Sequence, residues 1–181
     1  MPTNTTQHPD PVPAPPAGFT HEQVEALFFG AARDGQADLL EAFLDAGADA
    51  NRADLRGYTP LILASYNGHL DATRLLLGRG ALPDGRDAKG STALGGVAFK
   101  GDVEIARHLV EAGAAVDAPN DVGRTPLMFA VMFGREQMAR YLLEAGADPR
   151  RSDGEGNSAL SLARRQGHQD LIDLLGAIAT G

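Results

Sequence analysis

The residues that most often do chemistry are spread thinly along this 181-residue chain. Its five histidines, His8, His21, His69, His108 and His168, show no spacing that brings several ligands onto one metal ion with defined geometry. Cysteine is absent, which excludes disulfides, thiolate metal sites and a cysteine nucleophile. The 24 acidic residues are dispersed, and no pair of them stands out as a general acid and base. Gly95 and Gly96 lie in a helical pattern, with neither the preceding strand nor the lysine of a phosphate-cradling loop. The chain therefore reads as non-enzymatic, with no catalytic residue, cofactor or metal site. A formal charge of −8 disfavours nucleic acid, because phosphate is repelled unless basic groups are strongly segregated. No apolar run approaches the roughly 20 residues that span a bilayer. Binding another protein is the class that remains.

The elements that would position a binding surface follow from a period of 33 residues. The segment GYTPLILASYNGHLDATRLLLGRGA from Gly57 returns from Gly90 as GSTALGGVAFKGDVEIARHLVEAGA and from Gly123 as GRTPLMFAVMFGREQMARYLLEAGA. A weaker copy starts at Gly156, and Ala31 to Asn51 aligns without a gap on Ala64 to Asp84. Five units in one register mean a stack of supersecondary elements, with no single central core. In the second unit Thr59 is a suitable N-cap and Pro60 falls at the first helical position, where its missing N–H costs nothing. That helix is expected to run to about Asn67, with Gly68 in the turn. A second helix follows through Leu70, Leu75, Leu76 and Leu77, and Gly80 stops it as a left-handed C′ residue. Pro83, Asp84, Gly85 and Asp87 then give a loop or hairpin. Neither helix exceeds about three turns, so each unit depends on its neighbours.

Ahead of the first unit, Pro9, Pro11, Pro13, Pro15 and Pro16 favour an extended, solvated leader over 1–18, either inert or docking into an aromatic groove. The leader has neither a basic start nor an apolar core of signal-peptide length, so a cytoplasmic location is expected. Order should begin near Thr20, which has Gln23 at capping-box spacing. Lys89 and Lys100 are the sole lysines, and with abundant Ala and Gly this composition points to a bacterial, high-GC genome. Polar residues fill both terminal units, Glu22, Gln23, Glu25 and Arg33 in the first, and Arg164, Arg165, Gln169, Asp170 and Asp173 in the last. Both units read as caps, and a monomer is expected, although Ala177 and Ile178 leave a small apolar end.

With Thr59-Pro60-Leu61, Thr125-Pro126-Leu127, the Gly68-His69 and Gly167-His168 turns, and the Leu76-Leu77…Gly80-Ala81 and Leu142-Leu143…Gly146-Ala147 endings, the chain resembles ankyrin repeats. The resemblance runs from Phe19 to the C-terminus. It implies an all-α solenoid of five helix-turn-helix units joined by hairpin-like loops, the domain spanning 19–181 with units at about 21–53, 54–86, 87–119, 120–152 and 153–181. One departure is consistent. The family's histidine after Thr-Pro-Leu is replaced by Phe29, Ile62, Gly95, Met128 and Ser161, so the imidazole network should give way to apolar packing, with Ile62 and Met128 filling the space beside Gly95.

The resemblance also implies a partner surface formed by the loop tips and the concave face of the inner helices. Carried onto this sequence, the helix positions include Leu63, Tyr66 and Asn67, then Gly96, Phe99 and Lys100. Phe129, Met132 and Phe133 follow in the fourth unit, and Leu162 and Arg165 in the fifth; Gly30, Arg33 and Asp34 stand in the first. The tips add Leu55, Arg56, Tyr58, Lys89, Val122 and Arg124. Tyr58, Tyr66, Phe99, Phe129 and Phe133 are half of the chain's seven Phe and three Tyr, and aromatic residues are enriched at interfaces. Arg56, Lys89, Lys100 and Arg124 stand beside them, so the expected partner carries an acidic or aromatic segment. Gly96, between Leu63 and Phe129, should leave a dent for an inserted side chain. The alternative stays open that these side chains are ordinary core, Leu63 and Phe129 above all, with Tyr66 and Phe133 the most exposed. The expected function is an adaptor or inhibitor; the alternative is a secreted effector or a regulatory subunit of an enzyme. Some resembling bacterial proteins are associated with oxidative-stress enzymes.

Overall fold

Each inner helix begins where a threonine or serine hydroxyl takes over from a missing helical partner. Thr20, Thr59, Thr92, Thr125 and Ser158 are extended N-caps, and each side-chain oxygen accepts the backbone N–H of the third helical residue. At Thr20 the Gln23 side chain bonds back to the cap N–H at 2.9 Å, completing the expected capping box. The computed structural model describes residues 20–179 and no side chain beyond Ala177. The proline-rich leader, Phe19 and the Ile178 side chain thus lie outside the described residues.

Among these residues ten helices form five antiparallel pairs: α1 (His21–Asp34) with α2 (Ala37–Asp45), and α3 (Pro60–Tyr66) with α4 (Leu70–Gly78). The others are α5 (Ala93–Lys100) with α6 (Val103–Glu111), α7 (Pro126–Met132) with α8 (Glu136–Glu144), and α9 (Ala159–Gln166) with α10 (Gln169–Ala179). Among the described residues extended pairing is limited to one antiparallel bridge between Ser152 and Ser158. The odd-numbered helices pack side by side in an inner row, and the even-numbered ones form an outer row in sparser mutual contact. The looser outer row bends the stack so that the inner helices lie on its concave side. The core is a continuous band between the rows, in which Leu40, Leu61, Leu76, Leu94, Leu127, Leu142 and Leu162 are all fully buried.

Three repeated polar links hold neighbouring units in register. In the fingers, the long loops between units, Asp54, Asp87, Asn120 and Asp153 each accept through Oδ1 the backbone N–H groups two and four residues on. The fingers then bond to one another through Ala88 N–H to the Arg56 carbonyl at 3.1 Å, Asp121 N–H to Lys89 at 3.1 Å and Gly154 N–H to Val122 at 2.8 Å. Behind them Asn51, Asp84 and Asp117 accept the N–H of Leu82, Ala115 and Asp148 in the following unit. In the helix-helix turns His69 Nε2 lies 2.9 Å from the Arg33 carbonyl, to which it must donate, and Arg135 Nε donates to the Phe99 carbonyl at 3.1 Å. A Cβ on Gly35 would stand 2.4 Å from the His69 ring, so that glycine both supplies a φ of 71° and clears the incoming imidazole. The units are thus linked through their turns and fingers, while Phe29, Ile62 and Met128 are buried apolar residues at the departed histidine position.

Two expectations about packing are corrected. The space beside Gly95 is lined by Thr92 and by Phe129, whose ring atoms would lie 3.9 Å or more from a Cβ there; none of the three nearest atoms belongs to Ile62 or Met128. The two flanks of the stack also differ. Ser161 and Arg164 are exposed polar residues at positions that Met128 and Val131 occupy buried, as a cap requires. On the first unit, however, Leu27 and Leu39 are exposed where Pro60 and Ala72 are buried against the preceding unit, so α1 and α2 present an apolar flank.

Candidate interaction surface

The inner row sets one column of side chains on the concave side, and there the aromatic rings meet. Tyr66 in the last turn of α3 stacks on Phe99 of α5 with centroids 6.1 Å apart and planes 18° from parallel. Phe99 in turn meets Phe133 edge-on at 4.3 Å. Such pairs each contribute about 0.5–1.5 kcal/mol beyond their buried area. Met132 is the residue in register with Phe99, yet Phe133 completes the ladder because it is the C-cap of α7. Tyr66 remains 40 % and Phe133 43 % exposed, as expected, and Lys100 Nζ sits over the Tyr66 ring at 5.1 Å from its centroid.

The other expected surface residues divide three ways. Leu63 is buried, being 8 % exposed, but forms part of the wall of the cleft described below, and Leu162 is corrected to fully buried core. Phe129, Met132 and Tyr58 are half-buried and packed against that band. Asn67 is exposed, but its amide caps its own helix through the Leu63 carbonyl at 2.8 Å. Arg56 and Lys89 are exposed at the finger tips, and among the described residues neither side chain makes an ion pair. Arg124 is held, its Nε 3.4 Å from Asp153 Oδ2 in the next finger. Arg165 lies apart from the ladder on α9, 3.4 Å from Asn157.

Asp153 is the most constrained ionisable group. Burial of its side chain, 1 % exposed, pushes its pKa up most strongly. The Asn157 N–H and amide, the Glu155 N–H and the Arg124 guanidinium together more than offset that, and the carboxyl is held below its ordinary value.

Between the second and third units the column opens into a cleft of about 420 Å³, reaching from Tyr58 and Asp87 at the finger side to Arg33, Asn67 and Phe99 at the C-terminal ends of the helices. Gly95 and Gly96 form part of its lining. The expected dent above Gly96 is partly roofed, because a Cβ there would stand 3.1 Å from Tyr66 Cδ2. Sequence reading did not place Asp87 or Thr92 in this cleft; the recurrent Asx-x-x-Gly of Asp54, Asp87, Asn120 and Asp153 was the signal for where each finger turns.

The glycines give a direct stability test. Gly95→Ala is expected to raise stability by about 1 kcal/mol, since the new Cβ meets only ordinary contacts and helix propensity improves. Gly96→Ala should gain less, or lose, because the Tyr66 ring must move. Urea denaturation of the two variants checks this, and equal gains would contradict the placement of Tyr66.

Among the described residues no group of three or more His, Cys, Asp or Glu side chains is placed to hold a metal ion, and no helix is long and apolar enough to cross a membrane. A family model described as ankyrin repeats (3 copies) matches residues 27–120 and again 96–179. No curated protein matches the sequence.

Proposed function

Because the chain belongs to the ankyrin-repeat family, whose stacks are in general protein–protein interaction modules, we propose that it is a non-enzymatic adaptor or inhibitor that grips one cytoplasmic protein along the concave ladder. The observation that carries the reading is the Tyr66–Phe99–Phe133 column, in which the exposed Tyr66 and Phe133 rings flank a half-buried Phe99. Packed rings with open faces offer a rigid apolar contact at low entropic cost, and such residues dominate interface energetics. Lys100 against the Tyr66 ring, with Arg56 and Lys89 exposed at the finger tips, favours an acidic segment on the partner and speeds its approach. The molecule acts as a monomer in this reading, with one strip for one partner.

The test is affinity purification from the native cell with the wild type and with a Tyr66→Ala, Phe133→Ala double variant. The variant should lose its specific partner by about 30-fold or more in affinity while retaining its helical signal. A partner held equally by both proteins would refute the use of this face.

A further inference from the structure

We propose that the cleft at Gly95 and Gly96 is a socket for one aromatic side chain of the partner, and that Arg33 and Lys100 hold a carboxylate beside that side chain; this rests on the concave reading above. The corresponding pairs in the other inner helices are Phe29–Gly30, Ile62–Leu63, Met128–Phe129 and Ser161–Leu162. Only the third unit lacks a side chain at both positions, and the cleft lies there. Two adjacent glycines weaken a short helix by roughly 1 kcal/mol each, and within the structure Gly95 faces space that a methyl group would fill without strain. Its small size is thus not required by packing and leaves the cleft open.

At 420 Å³ the cleft sits near the lower end of the range of about 300–1,000 Å³ for ligand sites, enough for a single large side chain and too small for a helix. Tyr58, Tyr66, Phe99 and Phe129 line it together with Ile62 and Leu63, an apolar wall of rings that suits an aromatic side chain. Charge sets the direction of the segment. Asp87 stands at the finger end, with Oδ1 already accepting the Lys89 and Ser91 N–H groups. Arg33 closes the opposite end from the last turn of α1, and Lys100 is held against Tyr66 from the last turn of α5. Among the described residues neither Arg33 nor Lys100 is ion-paired. A carboxylate next to the inserted ring is therefore drawn to the helix ends and away from Asp87.

Amide NMR titration of the full chain with the acetylated, amidated tripeptides Glu-Trp-Glu, Lys-Trp-Lys and Glu-Ala-Glu tests this. Glu-Trp-Glu should give saturable shifts at Gly95, Gly96 and Phe99, with about millimolar affinity. Lys-Trp-Lys should bind about threefold more weakly, and Glu-Ala-Glu should leave these amides unmoved. Gly96→Leu should remove the shifts. Arg33→Glu, an exposed change that leaves the fold intact, should reverse the preference between the two tryptophan peptides. Absence of saturable shifts with Glu-Trp-Glu, equal binding of Glu-Ala-Glu, or an unaltered charge preference in Arg33→Glu would overturn the socket. If that happens while the Tyr66→Ala, Phe133→Ala variant still loses its partner, the socket alone fails; a partner retained by that variant removes the concave reading itself.

Discussion

Gly57→Ala is expected to destabilise the protein by about 3 kcal/mol or more, measured by urea denaturation. Gly57 has a φ of 78°, where a side chain costs about 1–2 kcal/mol from its clash with the following carbonyl. The larger part comes from outside its own loop. A Cβ would stand 2.6 Å from the Ala88 nitrogen and 2.9 Å from the Asp87 carbonyl carbon, and backbone cannot rotate away as a side chain can. Ala88 N–H is also the donor that joins the second finger to the first, so relief of the clash breaks that bond. Gly80→Ala is the control. It has a φ of 85° with nothing within 4 Å of the added carbon, and should lose only the local strain. Equal losses in the two variants would show that the fingers do not press on each other. Because coupling between units underlies cooperative unfolding of a solenoid, Gly57→Ala should also broaden the transition.

The second large effect is expected at Asp153. Asp153→Ala removes the acceptor for the Glu155 and Asn157 N–H groups and leaves Arg124 without its carboxylate. With the site buried, the expected loss is about 3 kcal/mol. Asp54→Ala, at the equivalent but half-buried position, should lose about 1 kcal/mol. The pH dependence has a definite sign. The folded-state pKa of Asp153 lies below the unfolded value of about 3.9. Its stabilising contribution is therefore complete above that value and disappears as pH falls through the folded pKa. The stability gap between wild type and Asp153→Ala should be constant from about pH 5 to 8 and shrink below about pH 4. A gap that instead narrowed toward alkaline pH would contradict the assignment.

What repeats along the chain was legible, and what depends on one neighbour was not. Thr59, Thr92 and Thr125 recur at a fixed interval before apolar helices, and their capping role follows from local chemistry. The same is true of Gly80, which has the left-handed conformation expected of it. Leu63 illustrates the limit. Spacing puts it in the same helix as Tyr66, but three residues turn a helix by less than a full circle, enough to place one side chain in the core and the other in solvent. Phe133 joins the ladder one residue out of register, a consequence of the cap geometry at the end of α7, which the period conceals. The roof over Gly96 belongs to Tyr66 in another unit, and only the stacked arrangement brings the two together. Asp87 was visible as turn composition and the bonds of the Asp54, Asp87, Asn120 and Asp153 series are local to each finger, yet the burial of Asp153 and its contact with Arg124 require the fingers to be stacked.

The unequal flanks give the stack a polarity for growth by gene duplication. A further repeat spliced between residues 19 and 20 would find Leu27 and Leu39 ready to be covered, at positions where later units bury Pro60 and Ala72. The same repeat attached beyond α10 would have to bury Arg164 and Ser161, losing the hydration of a guanidinium before gaining any apolar contact. Lengthening of this lineage, natural or designed, is thermodynamically open at one end and closed at the other.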